Sequence, residues 1–180
     1  SCEYCNSFLS FAPTVAVILN VEADHLDFFK DLEDIKASFR KFAELVPSTG
    51  SVIVNNDNAG ARSVACGLDA FTFGLEEGAE CTAQNLTWER GLPAFDIVVH
   101  GEKYAHVSLR VGGAHNVSNA LAAASAAYVL GVPGTAVEEG LVSFTGAGRR
   151  FEKKGVFNGA DVYDDYAHHP DELRALLTMA

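Results

Sequence analysis

PTVAVILN, at 13–20, is a continuous apolar run, largely β-branched, that ends in a polar residue. With no polar alternation, such a strand has to be covered on both faces, as in the parallel sheet of an α/β fold. The next segment fits that demand. DLEDIKASFRKFAELV (31–46) puts Leu32, Ile35, Phe39, Phe42 and Val46 on one stripe, predicting a helix with Asp31 as N-cap and Pro47 closing it. SVIVNN (51–56) predicts a second buried strand, DNAGARSVACG a short helix and AFTFG (70–74) a third strand. The alternation predicts βαβ units and a doubly wound, mostly parallel sheet.

The middle of the chain changes character. ECTAQNLTWE, AFDIVVHG and YAHVSLRV read as three antiparallel strands, the last two joined by a tight turn around Gly101 and Glu102. HNVSNALAAASAAYVLG (115–131) predicts an Ala-rich helix stopped by Gly131 and Pro133, with another helix near 135–143. TGAGRRFE (145–152) reads as a hinge leading into a hairpin whose second strand ends at the Asp164–Asp165 pair, and Pro170 then opens a further helix.

Thirteen basic against twenty-four acidic residues give a net charge of −11 with no Lys/Arg stripe, which argues against nucleic acid as a partner. No apolar run approaches the ~20 residues that span a bilayer, so no membrane insertion is expected and the chain reads as cytoplasmic. Four cysteines are too few for a disulfide framework, and Cys2-x-x-Cys5 lacks the second ligand pair that a structural zinc needs. Both thiols read as bystanders, with a zinc or redox module as the remote alternative.

Four places could carry chemistry. NVEADHLD (20–27) follows the first strand and offers Asp24, His25 and Asp27 as hard ligands, with a helix-capping loop as the equally open alternative. HNVSN (115–119) puts His115, Asn116 and Asn119 in the first turn of a helix, where amides and the dipole suit a nucleotide but also serve as ordinary caps. In GAGRRFE, Arg149 and Arg150 could clamp a phosphate from a flexible joint, or simply face solvent. DDYAHHPDE (164–172) gathers two carboxylates, Tyr166, His168 and His169 before a helix. The two histidines point apart if the segment is extended, so both are not expected on one metal.

In this order, CEYCNSF, NVEADHLD, HNVSNALAA, GAGRRFE and DDYAHHP resemble the Mur ligase family of peptidoglycan synthesis. The resemblance covers essentially the whole chain. It implies a P-loop NTPase-like central ATPase domain over 1–147 and the start of a Rossmann-like C-terminal domain over 148–180. It also implies ATP and Mg2+, and a reaction in which an acyl phosphate formed from ATP is attacked by an amino acid's nitrogen. The YAHHP form implies L-alanine as the added group and UDP-N-acetylmuramate as the acceptor. A ligase adding a recycled tripeptide, or a silent nucleotide-binding module, are the alternatives.

The resemblance makes Glu3 and His25 magnesium ligands, His115, Asn116 and Asn119 nucleotide contacts, and Arg150 the arginine that reaches the ATP phosphates. Asp165 then holds ribose or orients the closed domain, with Tyr166 and His168 near the incoming alanine. Two departures stand out. The family's glycine-rich Lys-Thr phosphate loop and its N-terminal UDP-binding domain match nothing here, so the chain is expected to be a segment inactive alone. The place of the carbamylated lysine found in several members holds Phe39 and Arg40.

Overall fold

The computed structural model describes residues 6–23, 26–168 and 170–179. Its strands β1 (Val15–Ile18), β2 (Ser51–Asn55), β3 (Ala70–Gly74), β4 (Cys81–Glu89), β5 (Leu92–Val99) and β6 (Glu102–Ser108) form one sheet in that spatial order. β1 to β4 pair in parallel, and β4, β5 and β6 pair antiparallel. The expected mostly parallel sheet with an antiparallel patch is therefore the observed one. A separate hairpin, β7 (Glu152–Phe157) and β8 (Ala160–Asp164), precedes α5 (Pro170–Met179).

Pleating explains why the parallel strands carry no polar face. In β2, Val52 and Val54 point into one cluster while Ile53 points into the other. The first cluster face is covered by α1 (Leu32–Glu44) and α2 (Ala59–Ala65), through Ile35, Ala43, Ala61 and Val64. The opposite face is covered by α3 (Ala114–Val129), through Val117, Ala120, Leu121 and Ala124, against Phe73, Phe95 and Ile97. Small side chains let α3 lie close across β1 to β5. It ends in a Schellman motif: Val132 N–H donates to the Ala127 carbonyl and Gly131 N–H to that of Tyr128, both at 2.9 Å, with Gly131 at φ +73°.

The predicted cap and stripe of α1 hold. Asp34 N–H donates to Asp31 Oδ1 at 3.0 Å. Leu32, Phe39 and Val46 pack around buried Ile35, whereas Phe42 turns to meet Phe8 edge-on at 5.3 Å. The β5–β6 turn falls one residue earlier than expected, on His100 and Gly101, because His100 itself adopts φ +50° and Val99 pairs with Glu102. On the outer side of the patch, Asp96 accepts from Lys103, Asn85 and His106 at 2.7–2.8 Å, and these partners, Lys103 first, hold its carboxyl well below the usual range.

The outer edge of β6 is not free. α4 (Gly134–Ser143) lies along it, and His106 N–H donates to Glu138 Oε1 at 2.6 Å. Gly134 sits so tightly there that a Cβ would stand 1.8 Å from the Tyr104 carbonyl oxygen.

Candidate functional site

In a parallel sheet the strand C-termini form one edge, and ligands collect where loops leave it. The loops after β1, β2 and β3 leave from this edge. β6 runs parallel to β4, so α3 also starts there before crossing the sheet.

The N-terminus of α3 lacks a side-chain cap. Its N-cap is Gly113 at φ +91°, and no acidic residue lies in its first turn. Asn116 instead turns back, donating through Nδ2 to the Gly112 carbonyl at 2.7 Å, and Asn119 Nδ2 stands 3.5 Å from Asn116 Oδ1. Asn116 N–H donates to the Gly113 carbonyl at 3.0 Å, and without a side-chain cap the start of α3 keeps its partial positive charge beside His115.

His115 follows the N-cap of α3. Its surroundings strip enough hydration from the ring to lower its pKa below 6.5, although much of the residue remains open to water. The Asp165 carboxylate opposes that shift and the Arg150 guanidinium reinforces it, so both lie within electrostatic reach. His115, Arg150 and Asp165, named from three separate motifs, thus act on one another's charge. A lowered histidine pKa works against folding under acid conditions. Above 6.5 both folded and unfolded states are neutral at this residue. As pH falls through that value, the unfolded chain binds the proton first and stability is lost. His115→Asn should therefore show a smaller drop in Tm than the parent between about pH 7.5 and about pH 5. An equal or larger drop would show that His115 keeps an ordinary pKa.

The joint at 147–152 is held in place by side chains. Asp165 accepts Phe151 N–H at Oδ2 and Ala167 N–H at Oδ1, each at 2.7 Å. Tyr166 N–H donates to the Arg149 carbonyl at 2.9 Å, and the Arg149 guanidinium lies 4.7 Å above the Tyr166 ring. Arg149 and Phe151 both take positive φ, +58° and +47°, and Phe151 stacks on Tyr163 with centroids 4.3 Å apart. Arg150 remains half-exposed, 3.5 Å from Glu172. The His168 ring packs edge-on against Tyr166 at 5.1 Å, and its amide donates to Glu172 at 3.1 Å.

Glu3 and His25, with Cys2, Cys5, Asp24 and His169, lie outside the described residues. Among the described residues no three His, Cys, Asp or Glu side chains gather as a metal cluster, and no helix is long and apolar enough to cross a membrane. Arg40 reaches the Val64 and Cys66 carbonyls at 3.0 and 2.6 Å, which fixes it to the end of α2. The sequence reading missed the β2–α2 turn. Asp57 accepts Leu75 and Glu76 N–H at 2.6 and 3.1 Å, and Asn58 accepts Val21 N–H at 3.1 Å, so this turn braces the loops on either side. The only local signal was the polar cluster NNDN at the end of a buried strand.

Residues 5–127 match the Mur ligase middle domain. A UDP-N-acetylmuramate--L-alanine ligase of Clostridium novyi is 47% identical over 182 residues, covering 100% of this chain and 40% of that protein. The crystal structure of UDP-N-acetylmuramate-alanine ligase from Thermotoga maritima superimposes with a TM-score of 0.82 at 29% identity, over 98% of this chain and 40% of that one. A murein peptide ligase from Psychrobacter arcticus is 28% identical with a TM-score of 0.69, over 95% of this chain and 35% of its own. The chain thus spans about 40% of the length of the curated relatives it matches. On a family match that covers most of its length, the chain belongs to the Mur ligase family.

Proposed function

We propose that the protein carrying this chain is an ATP-dependent ligase that joins L-alanine to the carboxylate of UDP-N-acetylmuramate in peptidoglycan precursor synthesis, acting in the cytoplasm. Residues 1–147 supply its central ATPase domain and 148–180 the start of its C-terminal domain. The observation that carries the reading is the whole-chain identity, 47%, to a relative named for that reaction. The electrostatic influence of Arg150 and Asp165 on His115, at the start of α3, supports it.

The acceptor carboxylate takes the γ-phosphoryl group of ATP, releasing ADP and giving an acyl phosphate, and the alanine amine then forms the amide as phosphate and a proton leave. Catalysis of this kind rests on positioning and charge neutralisation. Arg150 supplies a guanidinium for the phosphates in an otherwise acidic chain, and the uncapped amides of α3 favour anionic groups beside it. His115, Asn116 and Asn119 line the nucleotide side. Asp165 orients Arg150 through the Phe151 amide. Tyr166 and His168 stand on the side of the incoming amino acid. Glu3 and His25 are the proposed Mg2+ ligands, a carboxylate and an imidazole whose ion would neutralise phosphate charge.

The test is phosphate release by the full-length protein with magnesium-ATP and UDP-N-acetylmuramate. Release should require L-alanine. Release supported by a tripeptide in place of L-alanine would move the assignment to the recycling ligase, and a folded protein that binds ATP without turnover would make it a silent binding module.

A further inference from the structure

The loop after β1 is pinned at more points than a connection needs. Val21 and Phe29, at the ends of residues 21–29, are both buried in the cluster that α1 and α2 cover. Asn58, between β2 and α2, adds three hydrogen bonds. Its Oδ1 accepts Ala61 N–H at 2.8 Å and Val21 N–H at 3.1 Å, and its Nδ2 donates to Glu22 Oε1 at 2.6 Å. Beneath it, Gly60 lets α2 come up against the Val21 carbonyl, where a Cβ would stand 2.2 Å from the oxygen. One side chain thus ties the first turn of α2 to the opening residues of the segment that runs on into Asp24, His25 and Asp27.

Capping α2 requires only the Ala61 bond. The bonds to Val21 and Glu22 reach 37 and 36 residues back along the chain and add nothing to the helix. Their effect falls on a loop at the C-terminal end of a parallel strand, where α/β folds assemble their sites. We propose that Asn58 is a positioning residue of the ligase reaction, setting the path of the loop after β1 through the Val21 amide and Glu22 without touching substrate. The role rests on the ligase reading above.

Asn58→Ser in the full-length protein separates capping from positioning. Serine caps a helix about as well as asparagine, but its shorter side chain has one oxygen and no amide to reach Glu22. Tm should stay within about 2 °C of the parent, while kcat for alanine-dependent phosphate release falls about tenfold. KM for ATP and for UDP-N-acetylmuramate should change by less than about twofold, since the effect is on assembly of the reacting geometry. Amide hydrogen exchange at Val21 should quicken. Asn58→Asp combined with Glu22→Gln keeps the oxygen that both amides use and reverses the donor to Glu22's position, so the pair should recover most of the lost kcat.

Unchanged kcat in Asn58→Ser would overturn the proposal. So would Tm and kcat falling together without rescue by Asn58→Asp combined with Glu22→Gln, which would leave Asn58 a helix cap. A parent protein without turnover would overturn the ligase reading and the positioning role with it. That failure is distinguishable, because exchange at Val21 still reports whether Asn58 holds the loop.

Discussion

Replacing Asp165 with Ala in the full-length protein should lower kcat about a hundredfold, with KM for UDP-N-acetylmuramate changing only a few-fold. Both oxygens of this carboxylate are committed to backbone amides, Phe151 N–H and Ala167 N–H. The first holds an aromatic residue at φ +47°, a conformation that costs on the order of 1 kcal/mol or more for a residue with a Cβ. Stacking on Tyr163 helps, but a stack fixes a ring more than it fixes a peptide. Without Asp165 the peptide between Arg150 and Phe151 is free to turn to ordinary φ, and Arg150 moves with it. His115 also loses the neighbour that raises its pKa. Asp165→Asn retains one acceptor oxygen and should recover part of the loss. Steady-state phosphate release by the three proteins decides the matter, and an Ala variant within threefold of the parent would rule out an orienting role for Asp165.

Gly60→Ala is expected to destabilise the fold by about 3 kcal/mol, against a helix-propensity gain of about 1 kcal/mol that would favour alanine at an unconstrained position. The clash wins because the new methyl meets the backbone carbonyl of Val21, which has no rotamer to move into, at 2.2 Å. Relief requires α2 to back away from the loop, stretching the Asn58 bonds and opening the cluster around Val21, Ala61 and Val64. Chemical unfolding of the two proteins measures the difference. Equal stability would mean that α2 and the β1 loop can separate freely.

Much of the fold could be read from the order of residues, because its signals are local. AFTFG marks β3 from first residue to last, Asp31 caps α1 as expected, and Gly131 ends α3. The shift of the β5–β6 turn shows the limit of that reading: His100 takes a left-handed conformation together with Gly101, where only the glycine announced one. In the site, the motifs named His115, Arg150 and Asp165 separately, but their influence on one another depends on how β6 and the joint at 147–152 are packed. GAGRRFE reads as a loose hinge from composition, whereas the carboxylates of Asp165 and Glu152 hold it through backbone amides. Asn58 escaped notice for a related reason. One of its bonds is a local cap, and the two that matter for the site are visible only once β1 and β2 lie side by side.

The blocked margin of β6 bears on how copies of this chain can associate. A fibre built by strand addition needs two receptive sides on every molecule, one to accept and one to offer. Here α4 occupies the β6 side, with Glu138 taking the His106 amide that an incoming strand would need. Strand addition at this margin therefore first requires α4 to lift away from β6.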